Sequence, residues 1–253
     1  MAVQYNPGIV TSGLVLCLDA ANRKSYPGTG VTWSDLCLSN NTLTLINGPT
    51  YNTTNGGFIL FDGSNDYGEV ITRNTNLEFQ PLQPFSVFCW MKNASSGSTI
   101  LSNMINTGSY QGWDIWKESP TSIAMHLIAA WSANAMKVTV NFTFSNSWQY
   151  FGYTYDGSCP TNSSTTLSSV DFYVNGLLNT SGKAISGGDG FNTSSETISY
   201  DSSQRFRLAS RWASGSASSN SNVDLGAVQI YNKKLNAQEV LQNFNALRGR
   251  FGI

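Results

Sequence analysis

Charge is what this sequence has least of. Only 11% of its 253 residues are Asp, Glu, Lys or Arg, against roughly 25% in ordinary soluble domains, and there is a single histidine, His126. A net charge of −1 excludes nucleic-acid binding through a broad basic surface, which needs enough cations to displace counterions from phosphate. Apolar runs are short as well: none approaches the roughly 18 residues of a membrane-spanning helix, so no membrane partner is expected. The four cysteines, Cys17, Cys37, Cys89 and Cys159, show no CxxC or other metal-ligand spacing. Cys17 and Cys89 lie inside the apolar runs LVLCL and FSVFCWM, where a thiol acts as a small hydrophobe. The even count permits two disulfides, but a chain of this length does not require them. The opening residues, MAVQYNPGIVTSGLVLCLDAANRK, show no basic segment, apolar stretch and small-residue cleavage site in succession, so no secretory signal is expected.

Neutral hydrogen-bonding residues take the place of the missing ions: 34 Ser, 22 Thr and 26 Asn. With 40% hydrophobic and 12% aromatic residues, the chain has ample material for a core, and its polar composition suits a β-rich surface. No linker interrupts it, and all-β sandwiches often run to ~200–250 residues as one domain. The expectation is therefore one domain over residues 1–253.

Apolar residues alternate with polar ones from end to end, between clusters of Gly, Asn, Ser and Pro, the pattern of many short antiparallel strands. The clearest are expected at 14–19, 58–62, 85–92, 99–104, 112–116, 122–128, 136–144, 148–155, 170–174, 205–209 and 223–231. In KVTVNFTF, Val138, Val140, Phe142 and Phe144 share one face, while Lys137, Thr139, Asn141 and Thr143 share the other, so one side packs a core and the other meets water. Asn175-Gly176 predicts a tight hairpin, because a type I′ turn needs positive φ at both central positions. Residues 156–169 and 181–203 read as long surface loops. Asn236, with Glu239 three residues on, forms a capping signal. Leu235, Val240, Leu241, Phe244, Leu247 and Phe251 then repeat near helical spacing, which predicts a single helix over about 236–248.

Taken together and in order, the segments LVLCLDAANRKSYPGTGVTWSDL, GGFILFDGSNDY, WQYFGYTYDG, VDFYVNGLL and DLGAVQIYNKKLNAQEVLQNFNAL resemble a laminin-G-like domain of the concanavalin A-like lectin/glucanase superfamily. The chain departs from that pattern at Leu36-Cys37-Leu38-Ser39-Asn40, where relatives carry a Ser-Gly-Asn turn. The resemblance implies an all-β, concanavalin A-like jelly-roll sandwich of two antiparallel sheets, with ligands on a concave face or a loop rim. The stand-alone arrangement looks most like domains of tailed-phage virion proteins. It implies a virion structural protein, placed on a capsid or tail and made in the host cytoplasm, with other virion proteins, copies of itself or host-surface glycans as partners. The alternative is an extracellular carbohydrate-binding adhesin or lectin.

An enzyme is not expected. Hydrolases of the superfamily carry a Glu-x-Asp-x-x-Glu strand, since glycosidic cleavage needs two carboxyl groups at controlled separation, and the five Glu here stand apart. His126 shares a strand face with Ala124 and Ile128, and no Gly-x-Ser-x-Gly elbow accompanies it, so its role reads as structural. For sugar binding the useful residues are exposed aromatics that stack on sugar rings, and Trp113, Trp116, Trp131 and Trp212 fall near expected loops, although Trp also fills sandwich cores. No cofactor is required. Calcium would fall to Asp62, Asp66 and Asp156, as some relatives bind it at the loop rim; the competing role of such residues is an Asx-turn. After residue 204 there are seven bases and two acids. That local surplus suggests an assembly face anchored by Arg248 and Arg250, whose charge reversal should leave the domain folded.

Overall fold

The computed structural model describes residues 8–213 and 216–253. The strands up to the first helix are β1 (Leu14–Asp19), β2 (Thr32–Trp33), β3 (Leu43–Ile46), β4 (Thr50–Asn52), β5 (Phe58–Asp62), β6 (Tyr67–Val70), β7 (Phe85–Lys92), β8 (Ser98–Met104), β9 (Gly112–Ser119), β10 (Ser122–Ala130), β11 (Asn134–Asn141) and β12 (Gln149–Tyr155). Then come α1 (Ser163–Ser169), β13 (Val170–Val174), β14 (Leu177–Asn179), β15 (Ala184–Gly190), β16 (Arg207–Leu208), β17 (Arg211–Ala213), β18 (Ser216–Ser218), β19 (Asn222–Tyr231) and α2 (Ala237–Phe251). Among the described residues they build two large antiparallel sheets. An eight-stranded sheet runs β14-β13-β12-β7-β19-β5-β4, with β1 added on β19, and a nine-stranded sheet runs β15-β11-β10-β9-β8-β16-β6-β3-β2. β17 and β18 form a separate hairpin.

The main core lies between the sheets. Phe85, Val87, Tyr153 and Val228 of one sheet meet Trp113, Ile115, Leu127 and Val138 of the other, and the Phe85 and Trp113 rings are 5.9 Å apart. β7 is apolar on both faces because a second core lies behind it. There Phe88, Trp90, Tyr150 and Tyr231 pack against Val240, Phe244 and Phe251 of α2. This double burial is why FSVFCWM is a continuous apolar run rather than an alternating one.

The expected hairpin turn is present, with Asn175 at φ 50° and Gly176 at φ 80° between β13 and β14. The capping box at Asn236 and Glu239 is also formed in full. α2 runs three residues past the expected end, because Phe251 stacks on Trp90 at 4.2 Å and Gly252 closes the helix in a left-handed conformation. Two expected loops contain regular structure. Asn162 caps the seven-residue α1 by accepting from the Thr165 amide, and the glycine-rich segment AISGGDG forms the edge strand β15 by backbone pairing with β11. Neither depends on a periodic apolar pattern, which is what the loop expectation used.

The assembly face fares differently at its two residues. Arg248 is exposed on the last turn of α2. Arg250 instead points inward, at the place where β19 changes partner from β5 to β1. Its Nε donates to the Asn55 carbonyl at 2.7 Å, one terminal nitrogen donates to the carbonyls of Gly57 at 2.8 Å and Gly226 at 3.0 Å, and the other pairs with Asp19. Arg250 is therefore a structural clamp, and reversing its charge would not leave the domain intact. Arg250→Ala should lower unfolding free energy by about 2 kcal/mol, the scale of hydrogen bonds to a charged group. Arg248→Ala should change it by less than ~0.5 kcal/mol, as at exposed positions generally. Urea midpoints of the two variants read the contrast directly.

Candidate functional site

Strand parity sorts β9 into two populations. Trp113 and Ile115 face the core, while Asp114, Trp116 and Glu118 face outward. On β10 the outward residues are Ala124, His126 and Ile128, and on β11 they include Ala135, Lys137 and Thr139. Cross-strand register then places Lys137 beside His126, His126 beside Asp114, Asp114 beside Ser102, Ser102 beside Arg207 and Arg207 beside Glu69. One row of polar side chains thus crosses the outer face of the nine-stranded sheet.

The β17–β18 hairpin lies over this row and is held by two arginines. Arg207 reaches up from the sheet: its Nε donates to Glu69 at 2.6 Å and a terminal nitrogen to the Arg211 carbonyl at 3.0 Å. Arg211 reaches down from the hairpin, its Nε and a terminal nitrogen 2.8 and 2.6 Å from Asp114 Oδ2. The other Asp114 oxygen is 2.6 Å from His126 Nδ1; since a carboxylate can only accept, Nδ1 carries the proton. Asp114 has no exposed surface and His126 is 5% exposed. Burial pushes the Asp114 carboxyl up, but Arg211 and His126 outweigh it and hold the group below its ordinary value. Burial pushes the His126 imidazole down despite the neighbouring carboxylate, so the ring is neutral at pH 7.

Beside the hairpin opens a cleft of about 430 Å³, lined by Asn106, Tyr110, Trp116, His126, Trp131 and Arg211 together with Glu118, Lys137 and Ser219. His126 stands edge-on to both Trp116 and Trp131, with centroids 6.4 and 6.2 Å away. The Arg211 guanidinium covers one face of Trp116 at 4.3 Å. Trp131 is 41% exposed and lies against Gly187 of β15, at φ +114°; a Cβ there would come within 3.0 Å of the indole. Lys137 Nζ sits 2.9 Å from Glu118 Oε1 at the rim.

Of the four tryptophans expected from sequence, the cleft gathers Trp116 and Trp131. Trp113 is fully buried and donates its Nε1 to the Leu77 carbonyl at 2.8 Å, so it has no face to offer a ligand. Trp212, 6% exposed, sits on β17 outside the cleft lining. Asp114, Glu118, Lys137, Arg211, Asn106 and Tyr110 escaped the sequence reading; the period-2 alternation in GWDIWKES was the available signal for Asp114 and Glu118.

The structure keeps Asp156 apart from the other two calcium candidates, Asp62 and Asp66. Asp62 lies at the β5 end that pairs with the start of β19, beside the Lys92 end of β7, whereas Asp156 follows Tyr155, which pairs with Phe85 at the other end of β7. An eight-residue strand separates them, roughly 25 Å. Asp62 Oδ1 accepts from the Ser64 amide at 2.7 Å, Asp66 Oδ2 from the Asp62 amide at 3.3 Å, and Asp156 Oδ1 from the Ser158 amide at 2.9 Å. These carboxylates serve their own turns. Among the described residues no group of three or more His, Cys, Asp and Glu could hold a metal ion.

The buried cluster makes stability depend on pH with a definite sign. Because the folded His126 titrates below its ordinary 6.5, the unfolded chain takes up this proton first. The stability it contributes is complete above about pH 6.5 and falls as the pH drops below that value. Asp114, held below its ordinary 3.8, adds a further loss only at more acid pH. Urea unfolding between about pH 7.5 and 4.5 should show this decline in the native protein and a flatter profile in His126→Gln. Arg211→Met should cost about 3 kcal/mol at pH 7, because it strands a buried carboxylate without its cation.

No family model matches the chain, and no curated protein matches it. Solved structures do. The binding domain of botulinum neurotoxin serotype D/C aligns with a TM-score of 0.61 at 15% identity, over 93% of this chain and 52% of that one. The binding domain of Paraclostridial Mosquitocidal Protein 1 aligns with a TM-score of 0.61 at 16% identity, over 92% and 52%. A botulinum neurotoxin DC binding domain in complex with SialylT aligns with a TM-score of 0.62 at 16% identity, over 93% and 52%. The chain thus spans about half the length of these structures. At such identities the shared property is the fold, a β-sandwich.

Proposed function

We propose that this chain is a non-catalytic glycan-binding domain whose ligand occupies the cleft over Trp116, His126 and Trp131, and that it serves on a tailed-phage particle. The observation that carries the binding part is the make-up of the cleft: aromatic rings beside hydrogen-bonding side chains. Sugar rings present an apolar face and a hydroxyl edge, and such a surface meets both. The structural neighbours support the reading, since they are binding domains and one is in complex with SialylT. The virion setting, and the laminin-G-like assignment with it, is supported by the sequence resemblance, and exposed Arg248 remains the candidate contact with a particle.

Hydrolysis is disfavoured by geometry. Asp114 and Glu118 are four residues apart on one strand face, about 13 Å at strand rise, beyond the ~5–9.5 Å that glycosidases use. Each is also paired with a cation. Nor does His126 have a nucleophile: among the described residues no hydroxyl is hydrogen-bonded to its Nε2.

Screening the purified chain on a glycan panel should reveal a bound saccharide, with Trp131→Ala weakening it about tenfold, the equivalent of ~1.4 kcal/mol of lost stacking and burial. No reducing sugar should be released from any bound member. Binding that is indifferent to Trp131→Ala would remove the cleft from the function. Antibody labelling of purified particles tests the virion setting separately.

A further inference from the structure

Four formal charges belong to the cleft and its floor, and they cancel in pairs. Arg211 is neutralised by Asp114 and Lys137 by Glu118, while His126 is uncharged. The third Arg211 nitrogen faces Asn106 Oδ1 at 3.3 Å, and one face of the guanidinium is spent on Trp116. We infer that the cleft selects an uncharged saccharide, a neutral hexose or N-acetylhexosamine unit, over sialylated or uronic sugars. The inference rests on the glycan-binding reading above and names the chemical class of its ligand.

A carboxylate entering the cleft would find no unpaired cation to receive it. To reach Lys137 it would have to displace Glu118, leaving one carboxylate without a partner and another beside it. To reach Arg211 it would have to displace Asp114, which has no exposure and no water to turn to. Both exchanges replace one ion pair by another and leave an uncompensated negative charge, at a cost that a neutral ligand does not incur.

A hydroxyl-bearing ring faces no such penalty. Among the described residues, the Lys137–Glu118 contact uses only Oε1 of the carboxylate, so Oε2 can accept from one hydroxyl while the ammonium donates to its neighbour. Asn106 adds an amide, Ser219 and Tyr110 add hydroxyls, and Trp131 supplies the exposed ring for the apolar sugar face. A closely paired lysine and glutamate thus act as a combined donor and acceptor for vicinal hydroxyls. They remain neutral in sum with the ligand in place.

The test is equilibrium binding of the purified chain to matched pairs: oligosaccharides of glucose, galactose and N-acetylglucosamine, and the same glycans bearing a terminal sialic acid or a hexuronate. Neutral members should bind at least about fivefold more tightly than their acidic counterparts. Their affinity should change by less than about twofold from ~50 to ~500 mM salt, because no unpaired charge is used. Glu118→Gln frees Lys137 and removes the carboxylate acceptor, and should shift the ratio of acidic to neutral affinity about fivefold or more toward the acidic members. Glu118 is one-third exposed but Lys137 is only 12% exposed, so the urea midpoint of the variant is measured beside its binding to establish that it is folded. Competition by free hexose against free sialic acid on the unaltered protein gives the same reading without a variant. Equal or tighter binding of the acidic members, or unchanged discrimination in a folded Glu118→Gln protein, would overturn the inference and leave glycan binding standing. Failure of every member to bind, acidic and neutral alike, would bring down the glycan-binding reading and this inference with it.

Discussion

The ion pair between Asp114 and Arg211 is the interaction on which the outer face depends. A carboxylate with no solvent exposure is tolerable only with its charge matched and its oxygens hydrogen-bonded. Here Arg211 satisfies Oδ2 and His126 satisfies Oδ1. That single requirement ties a hairpin to the sheet, orients the histidine and turns the guanidinium flat onto Trp116. The cleft is what remains open beside this cluster, so the Trp116 side of its floor is positioned by electrostatics.

The same polar row explains how a sheet face with no second large sheet over it remains specific. Lys137, His126, Asp114, Ser102, Arg207 and Glu69 come from six different strands, yet their register sets them side by side. A slip of one residue on any of these strands would exchange a core side chain for a polar one. Polar neighbours across the sheet therefore reinforce the register that the apolar core demands on its other side. The outer face of the eight-stranded sheet is organised by a different means, with α2 laying Phe244 and Phe251 on Trp90.

Most of the architecture was legible in the sequence because it rests on local rules. Alternation marked the strands, Asn175-Gly176 marked the hairpin, and Asn236 with Glu239 marked the start of α2. The site was half legible. Trp113 and Trp116 look equivalent in GWDIWKES, but three residues along a strand reverse the face, and only one of the two can meet a ligand. The partnership of Asp114 with Arg211 spans 97 positions, and no local pattern announces a contact of that range. Arg250 misled for the same reason: its partners Asn55, Gly57 and Asp19 lie some 190 or more residues away, so in sequence it reads as one more basic residue at the end of a surface helix.

The position of β19 has a consequence for how the molecule comes into being. One edge of this strand pairs with β7, and its other edge is divided between β5 and β1. The strand at the middle of the sheet is thus made after every strand that it pairs with. Until residues 222–231 leave the ribosome, β1 has no neighbour in its sheet, and β5 and β7 hold unpaired edges facing an empty slot. Such edges invite pairing with other chains, and a topology built on distant contacts folds slowly. Synthesis therefore carries an exposed intermediate until β19 has been made. The scarcity of charge that suits the finished surface offers that intermediate little electrostatic protection from its own copies.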